Sequence, residues 1–291
     1  MSKLAQPTHT DSHFVTQDGR LLAATYYQPS HSNGRSVLIN GATAVPRRYY
    51  QHYAHYLATQ GFTVLTYDYR GIGDSRQNPI QRESATFRDW GEQDTAAAIA
   101  YLRMRTPTQP LLVVGHSAGG QVLGFAHNNQ AITATLMISC QSGYWRLWPR
   151  RNSWLMASLW YVGIPLLTSV VGYVPARRLG LGSADLPGGI ARQWAKWCRH
   201  RDYFVDDSGQ ACRPYFHTLT GPLLAYVIPD DWMAPRAAVD ALMSYYPNAD
   251  TEIRTLQPGD TPSASIGHFG YFKTSHQALW PEAAAWLSAQ A

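Results

Sequence analysis

The stretch Gly115-His116-Ser117-Ala118-Gly119-Gly120 sets a serine between small residues, directly after the apolar run LLVVG at 111–115 and before a segment with helical spacing. Small residues two before and two after a serine let the backbone turn sharply from strand to helix, pushing the hydroxyl out at the strand end. The helix start then brings its free N–H groups beside that hydroxyl. Such a serine suits nucleophilic attack on an acyl carbon, but only with a base that takes its proton and an acid that orients the base. Two aspartates, Asp230 and Asp231, follow the run LLAYVIP at 223–229. His268 lies in Ser265-Ile266-Gly267-His268-Phe269-Gly270, after the next extended run. His276 opens a helical segment, and His116 inside the serine turn is expected to pack or bond locally. A tetrahedral oxyanion needs two backbone donors. Ala118, next to the serine, supplies one. By position Ala42, in the loop Asn40-Gly41-Ala42-Thr43, supplies the other, with Gly41 leaving room for substrate.

These residues need a scaffold that brings them to one edge, and the hydropathy pattern provides it. An Asp-Gly turn at 18–19 joins two extended runs, 13–16 and 21–27, as a hairpin. His9 and His13 fall in what reads as a flexible tail. Short apolar runs at 36–40, 62–69, 111–115 and 133–140 alternate with helical segments at 49–60, 87–105 and 118–129. The alternation resumes with a strand at 223–228, a helix near 236–246, a strand near 252–256 and a helix near 275–289. Short runs buried on both faces, linked by helices, imply a mostly parallel sheet covered on both sides. Asp68 and Arg70 are expected to pair and brace the glycine turn at 70–75. Residues 141–221 break the pattern and are too apolar for a linker. The domain reading is therefore a first core part at 1–140, a helical insertion at 141–221 and a second core part at 222–291.

The chain has 291 residues, with 45% hydrophobic and 15% charged, which excludes disorder as its main state. Three widely spaced cysteines exclude a disulfide scaffold and fit a reducing compartment. The N-terminus has no apolar secretory core, so a cytoplasmic location is expected. The net charge is +5, and residues 142–220 hold ten basic and four acidic residues together with six of the ten tryptophans. Residues 154–174 contain no charge and are long enough to span a bilayer. Gly163, Pro165 and Gly172 interrupt them, so a pair of short helices is expected instead. No phosphate loop, dinucleotide fingerprint or zinc spacing is present, and no cofactor or metal is expected. His52 and His55 are helical neighbours without a third ligand. No reader motif accompanies the basic charge, so nucleic acid is not an expected partner.

The segments 38–46 (LINGATAVP), 67–75 (YDYRGIGDS), 115–120 (GHSAGG), 230–235 (DDWMAP) and 267–270 (GHFG) together resemble the α/β-hydrolase superfamily. More narrowly they resemble bacterial α/β-hydrolases of the serine aminopeptidase and monoacylglycerol lipase-like branch. The resemblance implies an α/β-hydrolase fold and the chain order serine, acid, histidine, as in Ser117, Asp231 and His268. It implies Asp231 rather than Asp230, because the acid in this fold stands four residues before a proline, here Pro235. Asn40 replaces the histidine that commonly precedes Gly41. The insertion occupies the position of the cap over the active site. Its tryptophans either line an apolar acyl pocket or pack the cap onto the core. Its arginines, such as Arg150, Arg151, Arg177 and Arg178, either face anionic lipid headgroups or an acidic substrate group, or keep the cap soluble. The activity implied is cleavage of a carboxylic ester through an acyl-enzyme on Ser117. The alternatives are acyl transfer, thioester cleavage or peptidase action by the same triad, and a non-enzymatic binding protein on the same fold. A serine at the turn disfavours dehalogenase and dienelactone-type chemistry.

Overall fold

A computed structural model describes residues 6–260 and 265–290. Its centre is an eight-stranded sheet. The hairpin β1 (Thr8–Val15) and β2 (Leu21–Gln28) forms one edge. Next come β3 (Ser36–Asn40), β4 (Thr63–Tyr67), β5 (Leu111–His116) and β6 (Ile132–Ile138). A two-residue ladder, β7 (Tyr173–Val174) with β8 (Leu186–Pro187), lies apart in the insertion. The main sheet ends with β9 (Pro222–Val227) and β10 (Asp250–Thr255). The spatial order is β1-β2-β4-β3-β5-β6-β9-β10, parallel from β4 to β10, with β2 antiparallel to β4.

Alternate side chains of the central strands feed two separate cores. In β5, Leu111 and Val113 join one and Leu112 and Val114 the other; Leu38 and its neighbours Val37 and Ile39 divide the same way in β3. Period-two alternation with both faces apolar is why these strands read as continuous hydrophobic runs. The first strand is longer than the sequence pattern suggests, pairing over its whole length from Thr8 to Val15. His9 and His13 therefore sit in an edge strand. Its polar sequence THTDSH hides the strand signal because it packs against a single neighbour and faces solvent.

Strand order reverses between β3 and β5. The chain leaves β3 for β4 on one side and returns to β5 on the other. Loops leaving the C-terminal ends of these two strands diverge and open a crevice between them, where open α/β sheets place ligands. The predicted serine follows β5 and the predicted Ala42 loop follows β3.

Between β6 and β9 the chain makes a helical excursion over the crevice. Its main parts are the run Arg150–Val170 and the helix Gly188–Arg199. The first is continuous rather than two helices, and it passes Gly163 and Pro165 by widening into a π turn over Leu159–Gly163. That turn absorbs the backbone bond that a proline ring disrupts. The glycine turn at 70–75 also differs from expectation, since Asp68 and Arg70 do not pair with each other. Asp68 accepts from the Arg47 guanidinium and from the Arg47 and Asp74 amides. Arg70 instead holds Asp94 and Asp18, each at 2.7 Å. Gly73 lies at φ +51°, and a Cβ there would meet the Asp68 carboxylate at 2.5 Å. Two ion-pair clusters thus fix the turn.

Candidate active site

Ser117 sits at φ 52°, ψ −112°, a strained conformation for a side chain other than glycine. The packing around it explains how it is held. A Cβ on Gly115 would lie 2.8 Å from the Gly120 amide nitrogen, and one on Gly119 would lie 2.1 Å from the Asn40 carbonyl oxygen. The Ser117 amide donates to the Ile138 carbonyl at 3.0 Å. The helix that follows is shorter than expected. It is α-helical only over Ala118–Gln121, then tightens to a 3-10 turn at Val122–Phe125. Glycines at 119, 120 and 124 give close packing at the cost of helix propensity. Ala118 is the first residue of this helix, so its N–H has no intrahelical acceptor.

Asp231 and His268 meet as the sequence order implies. His268 Nδ1 lies 2.7 Å from Asp231 Oδ2, and both side chains are buried. The other carboxylate oxygen, Oδ1, accepts from the amides of Met233 at 2.9 Å and Ala234 at 3.2 Å. Burial by itself pushes the Asp231 carboxyl up. The charge and hydrogen bond of His268, with the neighbouring Ser139 hydroxyl and the Met233 amide, outweigh it and hold the group below its ordinary value. An ionised Asp231 therefore accepts a hydrogen bond from Nδ1–H and leaves Nε2 as the nitrogen with a free lone pair. His268 and Ser117 line one cavity, with no hydrogen bond joining them in this conformation. Asp230 is an exposed turn carboxylate that is nonetheless bonded within the protein. Its two oxygens accept from the Ser265 hydroxyl and from the amides of Ile266 and Gly267, clamping the loop that carries His268.

The surroundings of Ala42 contain a network the sequence reading missed. Ala42 lines the cavity, but its N–H donates to the Tyr50 hydroxyl at 2.7 Å. That hydroxyl lies 2.9 Å from His116 Nδ1, and His116 Nε2 lies 2.9 Å from the His268 carbonyl oxygen. A carbonyl only accepts, so Nε2 carries the imidazole proton, Nδ1 is the acceptor, and Tyr50 donates to it. Burial, then the nearby His268, push the His116 imidazole down to about 3, which keeps it neutral and able to play both parts. Hydrogen bonds thus run unbroken from the Ala42 amide to the backbone of His268. An oxyanion at Ala42 would share the amide proton with Tyr50. Gly41 packs on the Tyr50 ring, where a Cβ would come within 3.1 Å, and does not open space for a substrate. The signal available in the sequence was Tyr50, one helical turn beyond the loop, together with a histidine next to the serine.

His116 gives a stability prediction with a definite sign. The unfolded chain takes up a proton near the ordinary histidine value of about 6.5, whereas the folded protein does not until about 3. Acid therefore favours unfolding across that window. Relative to His116→Gln, which keeps a donor for the His268 carbonyl, the wild type should lose about 1.4 kcal/mol per pH unit below pH 6.5. Urea unfolding of both proteins at pH 7, 6, 5 and 4 measures this; parallel curves would refute a neutral buried His116.

The cavity is small, about 70 Å3, and lies between the crevice and the cap. Trp148, Met156, Leu159, Trp160, Ile164 and Trp194 wall it from the cap, and Trp232, Met233 and Phe269 from the core. Four of the six cap tryptophans divide between the two expected roles, and Trp154 is exposed instead. Trp148, Trp160 and Trp194 line the cavity, while Trp197 packs inward with its ring stacked on Phe125 at 5.5 Å. None of the cap arginines reaches the lining, which contains no ionisable side chain apart from His268. Three polar atoms in that wall, Thr43 Oγ1, Gln141 Oε1 and Trp160 Nε1, are buried without a hydrogen-bond partner among the described residues.

The reversed strand order, the serine turn and the acid–histidine pair at one sheet edge define the α/β-hydrolase fold class. Within that class, residues 30–168 match the family described as "Serine aminopeptidase, S33". Solved structures show the same fold along almost the whole chain. The esterase Pf2001 of Pyrococcus furiosus is 14% identical with a TM-score of 0.62, covering 97% of this chain and 91% of that one. The hypothetical protein PA2218 from Pseudomonas aeruginosa is 17% identical with a TM-score of 0.62, covering 99% and 96%. A bromoperoxidase from Bacillus anthracis is 14% identical with a TM-score of 0.58, covering 96% and 99%. No curated protein matches the sequence.

Proposed function

We propose that the protein is a serine hydrolase that cleaves carboxylic esters with slender, uncharged acyl groups. The observation that carries this reading is His268, bonded to the buried Asp231, lining the same apolar cavity as a serine held in a strained turn. Ser117 Oγ attacks the ester carbonyl as His268 Nε2 takes its proton. The imidazolium so formed is stabilised by Asp231, which is already bonded to Nδ1. The tetrahedral oxyanion is held by the Ala118 N–H and by the Ala42 N–H. His268 returns the proton to the leaving alcohol, and an ester bond now joins the acyl group to Ser117. Water, deprotonated by the same imidazole, then releases the acid and restores the serine.

The cavity wall supports the choice among substrates. Its aliphatic and aromatic lining suits an acyl chain, and its small volume disfavours bulky acyl groups. No carboxylate in the lining would anchor a substrate amine, which speaks against aminopeptidase action despite the matched family's description. Esterases among the solved neighbours agree with an ester substrate.

The test is labelling followed by a chain-length series. A fluorophosphonate probe should modify Ser117, identified by mass spectrometry of the tryptic peptide. Hydrolysis of p-nitrophenyl esters should be fastest for straight short or medium chains and fall at least tenfold for a bulky branched acyl group. Absence of both labelling and p-nitrophenol release would defeat the assignment.

A further inference from the structure

The helical run Arg150–Val170 is apolar on both faces. Its inner stripe, Ser153, Met156, Trp160, Ile164 and Thr168, is buried against the protein, and Met156, Trp160 and Ile164 of that stripe wall the cavity. A cap helix covering a core normally turns polar residues outward. This one turns out Trp154 (68% exposed), Leu155, Tyr161, Val162, Leu166 (59%) and Val170 (74%). Eight of the twelve large apolar side chains exposed among the described residues fall between 154 and 179. A soluble surface rarely gathers so many on one element unless something covers them.

The charges beside this face point to what covers it. Arg150 and Arg151 stand at the start of the helix and Arg177 and Arg178 just beyond its end, all exposed. Among the described residues none of the four side chains forms an ion pair. An apolar face with Trp and Tyr, flanked by free arginines, has the chemistry of a helix lying in a bilayer interface that carries anionic phospholipid. A second copy of the chain suits it less well. A two-fold contact through this face would bring both sets of unpaired arginines together. The helix is long enough to span a bilayer, but its inner stripe is committed to the cavity wall, so it lies on the membrane rather than through it.

We infer that the outer face of this cap helix docks the protein onto anionic membrane surfaces. This is independent of the proposed chemistry and is read by binding alone. The intact protein is sedimented with vesicles of phosphatidylcholine, with or without about 30% phosphatidylglycerol. Partitioning should be at least tenfold stronger with the anionic lipid and weaken severalfold when salt rises from about 0.05 to 0.5 M. Leu155→Asp with Leu166→Asp should cut binding tenfold or more. Arg150→Glu with Arg151→Glu should abolish the preference for anionic lipid. Neither pair contacts the cavity, and an unchanged thermal transition shows that each variant folds; Val170→Ser serves as a milder probe. Binding that is equal for wild type and the apolar variants would overturn the inference. So would a wild-type dimer in light scattering that the apolar variants dissolve, without vesicle binding by either.

Discussion

Ser117→Ala should lower the turnover of p-nitrophenyl butyrate by about 10⁵-fold or more, and Asp231→Asn by about 10⁴-fold. The two losses differ in kind. Alanine removes the nucleophile, leaving only whatever the oxyanion donors and binding contribute. Asparagine keeps the size of Asp231 but presents either an uncharged oxygen or an amide to His268 Nδ1. The first stabilises the imidazolium poorly, and the second forces the proton onto Nε2, where it blocks the base. The amides of Met233 and Ala234 already bond to Oδ1, so they orient the asparagine oxygen toward themselves. They leave its NH2 to face the ring, the worse of the two arrangements. Asp230→Asn is the informative control. Asp230 touches no group in the cavity, yet it holds three donors from the His268 loop. Its loss should loosen that loop and reduce turnover by about tenfold, through the placement of the ring. Steady-state kinetics of the three variants, with probe labelling of Ser117 in each aspartate variant, measures this. Equal losses from Asp230→Asn and Asp231→Asn would reverse the assignment of the acid.

What could be read in advance follows from how locally each feature is encoded. The serine turn was legible because its glycines are demanded by contacts within the turn and with the adjacent strand. The parallel core was legible because strands such as SVLIN and LLVVG are buried on both faces and cannot hide their composition. Choosing Asp231 over Asp230 rested on its spacing to Pro235. The role of Asp230 was not legible, because its partners lie 35 to 37 residues away. The same holds for the ion pairs around Asp68 and Arg70, which a local rule joined to each other and the fold joins to Arg47, Asp94 and Asp18. It holds again for Tyr50, whose importance depends on a loop after β3 and a histidine after β5 arriving at one point. The first strand escaped for another reason: an edge strand facing water has little hydrophobic periodicity to read. The cap tryptophans could be counted but not sorted, since inward and outward positions on one helix depend on how it is laid over the crevice.

Gly119→Ala should be the most damaging single methyl addition in the site. A Cβ there would stand 2.1 Å from the Asn40 carbonyl oxygen and 2.7 Å from its carbon, distances no side chain tolerates. The obstacle is backbone at the end of β3, so it cannot rotate away as a side chain would. Two adjustments remain. Either the helix starting at Ala118 lifts from the sheet, or the end of β3 moves outward. The first displaces Ser117, whose strained conformation depends on the turn remaining tight. The second displaces the loop holding Ala42 and breaks the bond from the Asn40 side-chain amide to the Gly119 carbonyl, at 3.2 Å. The Tyr67 hydroxyl bonds to the same Asn40 side chain at 2.9 Å, so the disturbance reaches the next strand. Overpacking of this kind costs about 1–3 kcal/mol or more, and no relaxation leaves both the Ala118 and the Ala42 amides, the proposed oxyanion donors, in place. The variant should therefore show a lower urea midpoint and, where still folded, at least a 10²-fold loss in kcat with a smaller change in KM. Gly124→Ala separates packing from catalysis. Its Cβ would meet the Phe216 ring at 2.2 Å, a side chain away from the cavity, so it should destabilise the protein while sparing kcat. If Gly119→Ala instead retained full kcat in a folded protein, the close approach of the serine turn to β3 would not be what holds the nucleophile and the oxyanion donors in register.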